Sequence, residues 1–105
     1  MARFIAEFSI LPVGTGDTSL SKYVAQALRA LKEEGISYTL TPMCTIIESD
    51  SIEEIFKAVR IAHEAVIKMG VKRVIIRINI DDRLDKVTRR AQDKILAVKE
   101  KMKEE

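Results

Sequence analysis

A cysteine and a histidine in one small chain invite a nucleophile and its base, because a nearby imidazole can generate the attacking thiolate. The chain has one of each, Cys44 and His63. Cys44 opens the apolar run Cys44-Thr45-Ile46-Ile47, where cysteine behaves as a small hydrophobe. His63 borders an apolar helical stripe, one turn after Val59 and one before Ile67, the position of a packed side chain. No catalytic residue is therefore assigned. One His and one Cys also fall short of a zinc site, and a single Cys excludes an intrachain disulfide. Asp81, Asp82 and Asp85 gather carboxylates but lack the glycine and closing glutamate of a calcium loop. Helix capping accounts for at least one of them more simply, and no metal or cofactor is assigned. Gly14-Thr15-Gly16-Asp17-Thr18-Ser19 leads into a helix start, where free amides and the helix dipole can hold an anion. It has neither the P-loop lysine nor the dinucleotide glycine spacing, so a capped loop is the simpler assignment. Glu7, on the first expected strand, and Arg73 and Arg77, on the fourth, share the open sheet face and are expected to pair across strands.

The elements that must position these residues follow from periodicity. Over 3–11, Phe4, Ala6, Phe8 and Ile10 alternate with Arg3, Ile5, Glu7 and Ser9, the pattern of a half-buried strand. Leu20, Tyr23, Val24, Ala27, Leu28 and Leu31 repeat at helical spacing over 19–34, with Thr18 or Ser19 as cap and Gly35 as terminator. Strands are expected over 36–41 and 44–48, joined by a hairpin near Pro42 and Met43. Ser51-Ile52-Glu53-Glu54 is a capping box. It opens a second helix whose stripe is Ile55, Phe56, Val59, Ala62, Val66 and Ile67, ended by Gly70. A fourth strand covers 71–80, with Val74, Ile76, Ile78 and Ile80 on one face. Leu84, Val87, Ala91, Ile95, Val98 and Met102 then mark a third helix with a narrow, coiled-coil-like seam, ahead of a solvated end over 99–105.

The order β-α-β-β-α-β-α is that of an α+β ferredoxin-like βαββαβ sandwich: a four-stranded antiparallel sheet, two helices on one face, and an extra C-terminal helix. The 105 residues are read as a single domain. Basic residues number 18 against 16 acidic, a net charge of +2, which gives no broad field for nucleic acid or membrane surfaces. The RNA-binding modules of this fold display aromatic residues on the open sheet face. Here Phe4 and Phe8 fall on the helix side, so no nucleic-acid partner is expected. No run is long enough to span a bilayer, and the N-terminus has no signal layout, so a cytoplasmic location is expected. The open face mixes Ile5 and Ile75 with charged residues, which suits contact with a second copy.

Three stretches resemble the YkoF-like thiamine-binding family. They are 11–25, beginning Leu11-Pro12-Val13-Gly14-Thr15-Gly16-Asp17; Thr41-Pro42-Met43-Cys44-Thr45-Ile46-Ile47-Glu48; and Asn79-Ile80-Asp81-Asp82-Arg83-Leu84-Asp85-Lys86. The resemblance implies a ferredoxin-like fold whose sheets pack face to face in dimers and tetramers, a dimer of dimers. It also implies binding of thiamine or its pyrimidine part without catalysis. The family usually has glycine where this chain has Cys44 and Ser49. A cationic aminopyrimidine wants a carboxylate and a hydroxyl beside an apolar wall. Glu48 and Thr45 are the candidates, with Ile5 or Ile46 as wall. Regular alternation sends Thr45 and Glu48 to opposite faces. Thr15, Ser19 and Arg83 form the candidate set for an anionic ligand. The alternative function is a structural or regulatory oligomer whose open sheet face meets a protein partner.

Overall fold

The computed structural model describes residues 2–86 and 90–103. In chain order the elements are β1 (Phe4–Pro12), α1 (Ser21–Glu33), β2 (Thr39–Leu40), β3 (Thr45–Ser49), α2 (Ile52–Ile67), β4 (Val74–Asp82) and α3 (Ala91–Lys103). The strands form a four-stranded sheet in the order β2-β3-β1-β4, every pair antiparallel. This is the ferredoxin-like βαββαβ topology with an added C-terminal helix.

Alternation along β1 separates the layers. Phe4, Ala6 and Phe8 are buried and join Tyr23, Ala27, Leu28 and Leu31 of α1 and Ile55, Ala58, Val59, Ala62 and Val66 of α2 in one core. Burying one such Leu or Ile side chain stabilises the fold by about 1.5–3 kcal/mol. Phe56 and Ile67, expected on the buried stripe of α2, are instead 51% and 39% exposed. The core-facing arc is filled by the smaller Ala58 and Ala62, which let α2 lie close to the sheet.

The helix ends show which local signals act. Gly35, at φ +73°, closes α1 with a Schellman motif. The Ile36 amide donates to the Leu31 carbonyl and the Gly35 amide to the Lys32 carbonyl, each at 3.0 Å. β2, at Thr39–Leu40, is shorter than the expected strand: Ile36 is taken by this motif, and the Thr41 amide is taken by the turn to Cys44. The expected Ser19 cap is not made: the N-cap position of α1 is Leu20, without a side-chain bond. Asp17 competes, its Oδ1 accepting from the Ser19 amide at 3.0 Å. At α2 one arm of the capping box forms, the Glu54 amide donating to Ser51 Oγ at 3.3 Å. The Ser51 amide bonds Ser49 Oγ at 3.0 Å instead of reaching Glu54.

β4 runs later than expected, through Asp81 and Asp82, which pair with Ile5 and Phe4 rather than capping a helix. The first turn of α3 is held by other groups. The Arg90 amide donates to Asp93 Oδ2 at 2.8 Å, and the Ala91 amide donates to the Glu48 carboxylate of β3. Val87 of the expected stripe lies outside the described residues. Leu84, also expected on the stripe, precedes the helix and is exposed, because the strand runs on to Asp82 and α3 starts only at Ala91. Ala91, Ile95, Val98 and Met102 carry the described part of the seam, and the helix continues to Lys103 where a frayed end was expected. None of the described α3 residues is buried.

Candidate ligand-binding site

β1 outruns its neighbour. The last β1–β3 pair is Phe8↔Thr45, yet β1 continues to Pro12 beside β4. The intervening chain turns back at 41–44, where the Thr41 amide and hydroxyl both donate to the Cys44 carbonyl, at 2.9 and 2.8 Å. The gap is a hollow of about 450 Å³. Phe8, Leu20, Tyr23, Val24, Met43 and Ile75 give it apolar walls, and Thr41, Thr45 and Arg77 also line it. No carboxylate is among its lining residues.

Thr45 is 6% exposed, and among the described residues its hydroxyl has no hydrogen-bond partner. Ser49, equally buried on the same strand face, has its oxygen satisfied by the Ser51 amide. Thr45 thus presents a hydroxyl that no described protein group uses to an otherwise largely apolar hollow.

A second cleft, of about 580 Å³, lies on the open sheet face beneath the start of α3. One cross-strand row there reads Glu48, Ile5, Asp81, set by the register of Ile5 with both neighbours. α3 answers this row with cations. Lys94 Nζ pairs with Asp81 Oδ2, Arg90 Nε lies 3.6 Å from Glu48 Oε2, and the Ala91 amide takes Glu48 Oε1. Ile5 is 8% exposed although it points away from the main core.

The sequence-derived residues therefore fall into separate places. Ile5 and Glu48 share the cleft under α3, and Thr45 lines the hollow at the end of the sheet. Thr15 and Ser19 follow Pro12, at the far end of β1 from Ile5, roughly 23 Å along the strand at ~3.3 Å per residue. The Thr15 hydroxyl donates to the Asp17 carbonyl at 3.1 Å. The Ser19 and Ser21 hydroxyls share a bond of 3.2 Å. Arg83 is turned to Asp85, Nε to Oδ1 at 2.8 Å, and those hydrogen bonds raise the guanidinium above its ordinary pKa. The Arg3 guanidinium is raised in the same way by its bonds to Asp82. Local reading of the sequence did not find Tyr23, Met43 or Arg77 as lining residues. The available signals were Pro12 and Pro42, which bracket the point where β1 and β3 part.

The remaining chemical candidates resolve as follows. Cys44 Sγ donates to Glu7 Oε2 at 3.4 Å and lies 3.3 Å from Thr41 Oγ1. His63 is on α2, across the sheet from Glu7. Glu7 does not pair with Arg73 or Arg77 as expected; its register partner on β4 is Asn79, whose Nδ2 donates to Glu7 Oε1 at 2.7 Å. Arg77 stands opposite Ser9 instead. Among the described residues no group of three or more His, Cys, Asp or Glu is placed to hold a metal ion. No helix among them is long and apolar enough to cross a membrane.

Comparison with known proteins agrees with this fold. A family model described as thiamine-binding protein matches residues 6–99. An UPF0045 protein of Methanothermobacter thermautotrophicus is 44% identical over 97 residues, which are 92% of this chain and 97% of that protein. The UPF0045 protein YqgV of Bacillus subtilis is 42% identical over 88 residues, 80% of this chain and 84% of that protein. The crystal structure of a hypothetical protein from Methanocaldococcus jannaschii superimposes with a TM-score of 0.79 at 36% identity, covering 93% of this chain and 98% of that one. With its fold shared and its length matched almost end to end, the chain belongs to the thiamine-binding protein family.

Proposed function

We propose that this chain is a non-catalytic cytoplasmic binding protein for a thiamine-like ligand, held by its aminopyrimidine part, and that it works as a homo-oligomer, a dimer or tetramer. The observation that carries the reading is the partnerless Thr45 hydroxyl on the wall of an apolar hollow. A flat ring with a polar edge satisfies that hydroxyl and covers the surrounding Phe8, Tyr23 and Val24. Family membership supplies the ligand class. The absence of a carboxylate from the lining and the presence of Arg77 favour seating the neutral pyrimidine, with the thiazolium cation turned outward. Glu48 and Ile5 act in this reading by holding α3. Thr15 and Ser19, on the loop that leads to Leu20 of the hollow, remain candidates for an anionic substituent, whereas Arg83 lies beside Arg3 at the opposite end of β1 and would serve only a separate anion. No catalysis is assigned, because Cys44 faces a hydroxyl and a carboxylate, which is too weakly basic to take the thiol proton and whose negative charge disfavours a thiolate, rather than an imidazole or a cation.

Titration calorimetry with thiamine and with its free aminopyrimidine half tests the proposal. The half-molecule should retain most of the affinity. Absence of heat from both at millimolar concentration, with no ligand in native mass spectra, would reject thiamine-like binding for this chain. That result would favour the second reading, in which the exposed Leu11 and Ile75 of the open face meet a protein partner.

A further inference from the structure

The main chain at the hollow carries a feature that side chains alone do not reveal. The Val13 amide donates to the Arg73 carbonyl at 2.8 Å, and the Arg83 amide donates to the Arg3 carbonyl at 3.3 Å. Between these two bonds the β1–β4 register runs without a slip from Phe4↔Asp82 to Pro12↔Val74. In an antiparallel ladder the hydrogen-bonding direction alternates residue by residue. The odd-numbered residues of β1 therefore address β4, and the even-numbered ones address β3. Phe4, Ala6 and Phe8 meet Ser49, Ile47 and Thr45 in that way. Ile10 is the next even position. Its register partner would be Met43, which belongs to the turn, is 87% exposed and forms no ladder pair. The N–H and C=O of Ile10 thus face the hollow that Ile10 helps to line.

We infer that the Ile10 main chain is the recognition edge of the hollow, and that it selects planar heteroaromatic rings carrying an amine beside a ring nitrogen. The N–H and C=O of one extended residue lie side by side, a donor next to an acceptor. A ring nitrogen adjacent to an exocyclic amine presents the complement, an acceptor next to a donor. Such a ring completes the ladder where β3 has turned away, as an added strand would. Thr45, the last residue of β3 to pair with β1, stands opposite Phe8, two residues before Ile10, and lines the same hollow. Pro12 fits this geometry, since the N–H it lacks would point to the same open side and removes no bond to β4. The inference deepens the thiamine-like reading and rests on the hollow being the seat.

Amide hydrogen exchange followed by NMR tests it on the intact chain. In the free protein the Ile10 amide should exchange faster than the flanking Ser9 and Leu11 amides, which are paired to β4. Saturating aminopyrimidine should slow Ile10 by about tenfold or more. The dimethylamino analogue keeps the ring and loses the donor, and should bind on the order of tenfold more weakly. Binding without a change at Ile10, or equal affinity for the two rings, overturns the edge while leaving thiamine-like binding intact. Adenine separates the two ideas from the other side. If adenine protects Ile10 while the aminopyrimidine does not bind, the edge stands and the thiamine-like reading falls. If none of these rings protects Ile10, the edge is rejected.

Discussion

Thr45 and Val have nearly the same shape, so Thr45→Val removes the hydroxyl without opening a cavity. In most cores that change trades a satisfied group for an apolar one. Here the hydroxyl has no partner among the described residues, so the variant should be as stable as the parent or more stable by up to about 1 kcal/mol. The same variant should bind the aminopyrimidine about fivefold more weakly, for the loss of one hydrogen bond. Denaturant unfolding and calorimetry, run side by side, check both signs, and a destabilised variant with unchanged affinity contradicts this account of Thr45. Cys44→Ser should leave binding within about threefold, because serine keeps a donor toward Glu7. Calorimetry on the purified variant checks it. At this scale the sequence was partly legible. Thr45 could be read as a polar residue in an apolar run, but its lack of a partner could not. The direction of the Ile10 amide depends on where a distant hairpin turns, and no local pattern carries that information.

Among the elements, α3 is the one whose attachment is least like a core. Its residues are all outside the buried set, with Ile95, Val98 and Met102 at 50%, 59% and 67% exposure. A helix of 13 residues is marginal by itself in water. Its contacts at Glu48 and Asp81 are charged and partly exposed, so each contributes modestly. Glu48→Gln should weaken the cap on the Ala91 amide and speed exchange of the first-turn amides of α3, while ligand affinity in the hollow changes by less than about threefold. A large loss of affinity would move the ligand seat to the cleft under α3. The period of the α3 seam was readable from residue types. The groups that cap it were not, because Glu48 reaches it from β3 and sequence distance hides such a partner. The opposite held for α1, whose Gly35 terminator was plain because a Schellman motif is local.

For the whole molecule, exposed apolar groups on the open face and along α3 support the proposed self-association. Leu11 and Ile75, opposite each other in the β1–β4 register, are 44% and 38% exposed. Light scattering should give a mass at least twice the 11.9 kDa of the chain at micromolar concentration. Ile75→Asp should lower that mass by placing an unpaired charge in the contact. A monomer mass for the parent would refute the assembly. The end of β1 has another consequence. A strand edge open to a ring is also open to a foreign strand, and long open edges template fibrils. Here the opening is a single residue deep. Ile10 offers one donor, and the next position on that side, Pro12, offers none. An incoming chain cannot find the repeated donors it needs to zip, whereas a small ring needs only one. Pro12→Ala would restore the second donor, and should raise the rate of thioflavin-positive aggregation on prolonged incubation. On this account Pro12 leaves room for a ring at the Ile10 opening and offers no second donor to a strand there.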